Sequence, residues 1–122
     1  MIRNTVFGNA DDGIQVSGDG CLVKDNTVAG NGARGIEVSG RYDAIEENLV
    51  TSCQVGIYFA NAQNYYANNR TMGNGTNYGG SLPTGAGNGG GNAGFGTLPA
   101  NMSAQMEMKA GQAFNSMPST EK

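Results

Sequence analysis

Few residues in this chain could carry out chemistry, and the lack of histidine narrows the choice. The 122 residues contain no histidine, which excludes Ser-His-Asp and Cys-His catalysis, histidine-ligated zinc and the commonest general base at neutral pH. The adjacent carboxylates Asp11 and Asp12 remain as catalytic candidates, because glycoside hydrolysis uses two carboxyl groups, one of them protonated. Aspartates are also typical of tight turns, and we favour this structural interpretation of the pair.

A second set of residues suits contact with a polysaccharide. Gln15, Glu37 and Tyr58 occupy the same place in successive copies of a sequence repeat, and Arg34 and Arg41 flank them. An amide, a carboxylate and an aromatic ring on one flat surface can bond sugar hydroxyls and cover the apolar face of a pyranose. These five residues form the candidate ligand-binding site, with ordinary solvent-facing surface as the alternative interpretation.

The candidates for metal binding are weaker. Asp19, Glu37 and Asp43 could bind calcium, but no repeat position stacks three carboxylates around a basic residue. Residues 102–117 include four methionines, whose thioethers suit Cu(I), although methionines at helical spacing are more typical of packing. We therefore expect no metal cofactor, with calcium as the open alternative.

The elements that position these residues follow from a repeat that occurs three times and begins a fourth. The repeat is Asn-x-Val followed by Gly-Ile-x-Val. Its asparagine recurs at intervals of 22, 22 and 21 residues, at Asn4, Asn26, Asn48 and Asn69. Its glycine recurs at Gly13, Gly35 and Gly56, so the single deletion lies between Asn48 and Gly56. A fixed period with turns rich in glycine, asparagine and aspartate predicts a solenoid of parallel β-helix coils.

The repeat also predicts an inner wall and two polar ladders. Alternation within the strands points three rows of residues inward. The rows are Ile14, Val16, Ile36, Val38, Ile57 and Phe59; Met1, Val23, Ile45 and Tyr66; and Val6, Val28, Val50 and Thr71. Asparagine amides can bond the same group one coil away. The ladders should comprise Asn4, Asn26, Asn48 and Asn69, and Asn9, Asn31, Cys53 and Asn74.

This frame resembles the right-handed parallel β-helix repeat family of the pectin-lyase-like superfamily over about residues 1–80. In the polygalacturonases of that superfamily an Asp-Asp pair precedes a strand, where Asp11 and Asp12 stand, but their Gly-His-Gly and Arg-x-Lys motifs are absent here. Its pectate lyases hold calcium with acidic groups. Another β-helix family assists copper-site assembly in nitrous oxide reductase, and this resemblance adds slight interest to Cu(I) binding by the methionines of residues 102–117. Resemblance of this kind implies a fold, and function must be argued from sites.

Three segments are expected in an all-β chain. Residues 1–80 should form a short right-handed parallel β-helix of three to four coils, and residues 81–97 a glycine-rich linker. Residues 98–122 should form a methionine-containing C-terminal helix or a disordered tail, because their apolar residues recur at steps of three and four.

Charge and end positions limit the partners. The net charge of −3, with only seven lysines and arginines, argues against nucleic acid and anionic membrane surfaces. No signal peptide and no membrane-spanning apolar run is visible, so an extracellular or periplasmic location is expected only if the parent protein is exported. Met1 falls directly on an inward position, which predicts that the N-terminal edge meets upstream β-helix coils or, in a head-to-head homodimer, a second subunit.

These observations favour a non-catalytic role. We expect a β-helix scaffold, the C-terminal part of a larger extracytoplasmic protein, with weak carbohydrate binding on the outward face of the Gly-Ile-x-Val sheet. The alternative is a truncated or degenerate polysaccharide lyase or glycoside hydrolase. The missing histidine and the lack of a stacked acidic cluster argue against the enzyme.

Overall fold

Short alternating stretches separated by glycine, asparagine and aspartate form strands of three to five residues, too short to be stable alone. The computed structural model describes residues 1–96, in which these strands wind into a solenoid of about four turns. The predicted parallel β-helix is therefore confirmed. The helix or tail expected at residues 98–122 lies outside the described residues.

Within residues 1–96, thirteen strands form three parallel sheets. The first sheet contains β1 (Thr5–Phe7), β4 (Thr27–Ala29), β7 (Leu49–Thr51), β10 (Arg70–Met72) and β13 (Ala93–Phe95). The second contains β2 (Ile14–Val16), β5 (Arg34–Val38), β8 (Val55–Phe59) and β11 (Thr76–Gly80). The third contains β3 (Leu22–Lys24), β6 (Ala44–Glu46), β9 (Tyr65–Ala67) and β12 (Asn88–Gly90).

The strand register follows the sequence repeat. Ile14 pairs with Ile36, and Ile36 pairs with Ile57, so the predicted stacking of one lap on the next is confirmed. The offset between coils is 22 residues where Ala29 pairs with Thr51, and 21 where Arg34 pairs with Val55. The deletion therefore falls in the turn between β7 and β8, within the interval that the repeat predicts.

The core is the stack of inward rows. Fully buried aliphatic side chains include Val28, Ile36, Ile45 and Ile57, and the Phe59 ring packs edge-on against Tyr66 at 5.2 Å between centroids. Met1 lines one cavity with the inward residues Ile14, Val16 and Val23, and it is 58% exposed because no coil covers it among the described residues. Other inward residues of the first coil are nevertheless buried, with Ile14 3% and Val23 2% exposed.

Residues 81–96 differ from the predicted glycine-rich linker, because the coil continues through them. A single turn of 3-10 helix (Gly85–Gly87) leads into β12, which pairs with β9, and β13 pairs with β10. A register shift between Asn88 and Gly90 accommodates an extra residue in β12. Glycine density here reflects an irregular last coil, with Gly90 and Gly91 at positive φ, rather than a flexible connection.

Candidate functional site

The outward side chains of the second sheet form the predicted column. Gln15 pairs in register with Glu37, and Glu37 with Tyr58. The Nε2 of Gln15 donates to Oε1 of Glu37 at 2.8 Å. The next position in the column is Gly79, where the side-chain surface ends. The column is therefore a short polar strip of three side chains, with an aromatic ring at its C-terminal end.

Arg34 joins this strip through Tyr58. Its guanidinium carbon lies 4.5 Å from the centroid of the Tyr58 ring, a cation–π distance. The same guanidinium is 3.8 Å from Oδ2 of Asp12. Arg34 thus covers one face of the ring and links it to the turn before β2, so a ligand would meet the ring edge and the polar groups beside it.

Arg41 lies elsewhere. It sits in the turn between β5 and β6, where its guanidinium is 3.6 Å from Oδ2 of Asp19 and 6.0 Å from the Tyr42 ring. Because Arg41 lies beyond the end of β5, its side chain contacts residues of the turns and does not reach the column. The structure groups four of the five predicted ligand-binding residues and places Arg41 with a different set of contacts.

The Asp11–Asp12 pair has a structural role in this coil. Oδ1 of Asp12 accepts a hydrogen bond from the backbone N–H of Arg34 at 3.0 Å, and the Asp12 side chain is 9% exposed. Asp11 is exposed, and its backbone carbonyl accepts from the N–H of Ala33. With both Asp12 oxygens directed at Arg34, these contacts fit the turn interpretation of the pair.

Two buried ladders run through the stack, as the repeat predicts. In the first, the backbone N–H and Nδ2 of Asn26 both donate to Oδ1 of Asn48, at 3.0 and 2.9 Å. In the second, Nδ2 of Asn31 lies 3.9 Å from Sγ of Cys53, and the N–H of Cys53 donates to Oδ1 of Asn74. The ladders hold each coil in register with the next.

Sequence reasoning missed part of this polar framework. Asn92 continues the first ladder by accepting from Asn69 at 2.9 Å, and its position 23 residues after Asn69 is the signal that could have found it. A third column runs through Cys21, Asp43 and Asn64: Oδ1 of Asp43 accepts from the N–H of Cys21 at 2.7 Å. Oδ2 of Asp43 is buried and, among the described residues, has no hydrogen-bond partner.

Two tyrosines, in the third and fourth coils, have pKa values raised above the ordinary value. Burial raises the pKa of Tyr66 above its ordinary value of 10.0. Burial also raises the pKa of Tyr78, against the opposing effect of a hydrogen bond from its hydroxyl to the Ala93 carbonyl at 2.8 Å. Both rings lie in the interior, 5.7 Å apart, where the neutral phenol is favoured.

The described residues do not assemble a metal centre from histidine, cysteine and carboxylate ligands. Within residues 1–96, no three such side chains come together, so Asp19, Glu37 and Asp43 do not form the calcium site considered above. The Sγ of Cys53 is buried in its ladder, 3.4 Å from the Thr51 carbonyl. Cys21 lies in a different column and bonds Asp43 through its backbone.

The continuous strand register, the aliphatic wall and the amide ladders define a parallel β-helix protein. The family model described as periplasmic copper-binding protein (NosD) matches residues 1–87, and the chain belongs to this family. The family is one of right-handed, pectin-lyase-like β-helices, which confirms the resemblance drawn from the repeat. It is also periplasmic, in agreement with the extracytoplasmic location expected above.

No curated protein and no solved structure matches the chain significantly. Among the described residues, no helix has the length and apolar character needed to cross a membrane.

The family description raises the question of copper, and residues 1–96 bring together no three histidine, cysteine, aspartate or glutamate side chains that could hold it. Copper sites use imidazole, thiolate or thioether ligands that converge on one point. The chain has no histidine, and its two cysteines lie in separate columns of the stack. Within residues 1–96, histidine and cysteine side chains therefore do not converge on one point as copper ligands.

Proposed function

We propose that this chain is a scaffold segment of a periplasmic copper-binding β-helix protein. The observation that carries the proposal is the match of the copper-binding family to coils whose inward polar groups are engaged in stacking. A framework with its amides committed to ladders is rigid and can hold attached segments at fixed spacing. The coils themselves do not bind copper in this proposal.

Any copper bound by this chain is held as cargo by thioethers beyond the described coils. Four of the six methionines fall within residues 102–117, a concentration of soft ligands that suits Cu(I). This replaces the expectation of no metal, because the family description makes copper the metal to test.

Competition for Cu(I) with a coloured chelator tests this assignment. The chain should withdraw Cu(I) from the chelator, and a variant with Met102, Met106 and Met108 replaced by leucine should lose most of that capacity. Cys21→Ser, as the matched control, should behave like the parent. If the parent withdraws no Cu(I), or if only Cys21→Ser abolishes binding, the thioether assignment is wrong.

A second candidate function is weak contact with a polysaccharide on the polar strip. The ordered arrangement of Gln15, Glu37 and Tyr58, with Arg34 at the ring, favours it, because fixed polar groups beside an aromatic ring suit a sugar polymer. Since Arg34 already covers one ring face, we expect weak binding through the ring edge and the polar groups.

Electrophoresis through gels containing polygalacturonate or neutral polysaccharides tests this second function. The parent should be retarded in at least one gel, and Tyr58→Ala should lose the retardation. Tyr65→Ala is the matched control, because Tyr65 is an exposed tyrosine on the third sheet. If no polysaccharide retards the parent, the binding proposal fails; if the polymer is cleaved, the enzyme alternative is favoured instead.

A further inference from the structure

We infer that the polar strip of the second sheet selects polysaccharides of amino sugars whose amines are unsubstituted and positively charged. The polar strip is Gln15, Glu37 and Tyr58, with Arg34 at the ring. This inference rests on the polysaccharide contact proposed above and adds the charge class of the ligand. A surface that binds uronate polymers instead needs basic side chains whose charge is not already compensated.

The charges on the outward face of the second sheet leave the strip negative. Within β2, β5, β8 and β11, the charged residues are Arg34 and Glu37. The Arg34 guanidinium is 3.8 Å from Oδ2 of Asp12 and also lies over the Tyr58 ring, so its charge is already matched inside the protein. Glu37 takes part in none of the ion pairs among residues 1–96. The uncompensated charge of the strip is therefore the Glu37 carboxylate.

The hydrogen-bonding groups of the strip favour the same ligand chemistry. Nε2 of Gln15 donates to Oε1 of Glu37 at 2.8 Å. Within residues 1–96, no hydrogen bond reaches Oε1 of Gln15 or Oε2 of Glu37. Because Gln15 and Glu37 are neighbours in register, these two oxygens form one acceptor site. An ammonium group offers three donors and no acceptor, whereas a carboxylate offers only acceptors.

A uronate would be repelled at the same place. Its carboxylate would approach the like charge of Glu37, and Arg34 would have to leave Asp12 and Tyr58 to compensate it. Asp11, an exposed carboxylate in the turn that leads into β2, adds a further negative charge and has no ion pair among residues 1–96. A neutral sugar avoids this repulsion but gains no charge pair. The expected order of affinity is therefore amino sugar, neutral sugar, uronate.

The aromatic end of the strip can contact a neighbouring unit of the same polymer. Arg34 lies on the second-coil side of the Tyr58 ring, and the next residue of the column in the fourth coil is Gly79. A methyl group at Gly79 would lie 3.6 Å from Cδ1 of Tyr58, so the bare glycine leaves this side of the ring without a covering side chain. A sugar chain along the column thus places an amine at Glu37 while another unit lies beside Tyr58 and Gly79.

Titration calorimetry with three soluble oligosaccharides of equal length tests the charge class. The oligomers consist of glucosamine, N-acetylglucosamine and galacturonate, and acetylation removes the charge of the amine. The glucosamine oligomer should bind about three- to fivefold more tightly than its acetylated form, which is the value of one exposed charge pair. The galacturonate oligomer should bind more weakly than either. Salt at about 0.5 M should remove the advantage of the amine, because it screens exposed charges.

Glu37→Gln removes the charge and keeps the size of the side chain. It should lower the affinity for the glucosamine oligomer by the same factor and leave the affinity for the acetylated oligomer unchanged. Glu46→Gln is the matched control, because it changes the net charge equally from an outward strand position on the third sheet, and it should bind like the parent. Thermal unfolding should show that both variants are folded.

The outcomes separate this inference from the polysaccharide proposal on which it rests. If the acetylated or galacturonate oligomer binds as tightly as the glucosamine oligomer, or if Glu46→Gln loses as much affinity as Glu37→Gln, the charge selection is overturned and polysaccharide contact is retained. If no oligomer binds, or if Tyr58→Ala binds all three like the parent, polysaccharide contact on the strip fails and the charge selection fails with it.

Discussion

Replacing Asn48 with alanine tests the claim that amide ladders, and not aliphatic contacts alone, hold the coils together. Asn48 is 1% exposed and makes four side-chain hydrogen bonds. Its Oδ1 accepts twice from Asn26, and its Nδ2 donates to Oδ1 of Asn69 and to the Val23 carbonyl. Alanine removes all four and leaves the buried N–H of Asn26 and the Val23 carbonyl without these partners, whereas Oδ1 of Asn69 keeps the bond from the backbone N–H of residue 48.

The magnitude follows from the number of bonds. At about 0.5–1.5 kcal/mol net for each hydrogen bond, the loss should be about 4 kcal/mol in the free energy of unfolding. Asn4→Ala is the matched control in the same ladder. Asn4 is exposed and its side chain only donates, to Oδ1 of Asn26 and to the Ile2 carbonyl, so its loss should be about 1 kcal/mol.

Urea unfolding followed by circular dichroism measures both variants against the parent. The expected result is a difference of about 3 kcal/mol between Asn48→Ala and Asn4→Ala at unchanged dependence on urea. If the two variants lose the same stability, or if Asn48→Ala loses less than about 1 kcal/mol, the ladder is a consequence of stacking and not one of its causes.

Three other predictions follow from single positions. Ser52 has φ of 59°, and the equivalent turn residues of the other coils are Gly8, Gly30 and Gly73. Ser52→Gly should therefore stabilise the chain by roughly 0.5 kcal/mol in the free energy of unfolding. Ser17→Gly relieves no positive φ and should not stabilise the chain, and thermal unfolding compares the two variants. Ile36→Asp should abolish the β-sheet dichroism, because it puts a charge at a fully buried position, and a folded variant would contradict the inward assignment. Because burial raises the pKa of Tyr78, the folded state keeps its proton longer than the unfolded state, so stability should be complete below pH 10 and fall as pH rises above it; Tyr78→Phe should show a shallower fall in urea titrations from pH 8 to 11.

The repeat predicted the stack because its inward and ladder positions recur at a nearly fixed spacing through three coils. Ile14, Ile36 and Ile57 have the same residue type at a fixed spacing, so their register could be read directly. Even Cys53 could be placed in its ladder, because its neighbours in sequence keep the frame.

The last coil could not be predicted in the same way. There the spacing from Asn69 to Asn92 grows to 23 residues, and Tyr78 replaces the isoleucine of the earlier coils. A glycine-dense stretch with a shifted period has the composition of a linker, although the partners for its backbone are provided by the coil before it.

The outward residues show why a site is harder to predict than a core. Column membership placed Gln15, Glu37 and Tyr58 correctly, because register alone decides it. The contact of Arg34 with the Tyr58 ring depends on how two long side chains lie along the sheet, since Arg34 is in register with Val55. Arg41 lies apart from the column, because it follows the end of β5 and its guanidinium is near Asp19 in the preceding coil.

The ladders also restrict where this protein can carry function. An asparagine that donates and accepts between two coils cannot also bind a ligand without breaking the register of both. The positions free to vary are therefore the outward strand residues and the turns, and it is there that Gln15, Glu37, Tyr58 and Gly79 differ from coil to coil. Copper ligands of this chain are therefore expected outside the ladders, among the outward strand residues, the turns or the segments attached to the coil. A copper site found among the ladder residues would show that stacking and binding are not exclusive, and the scaffold proposal would have to be abandoned.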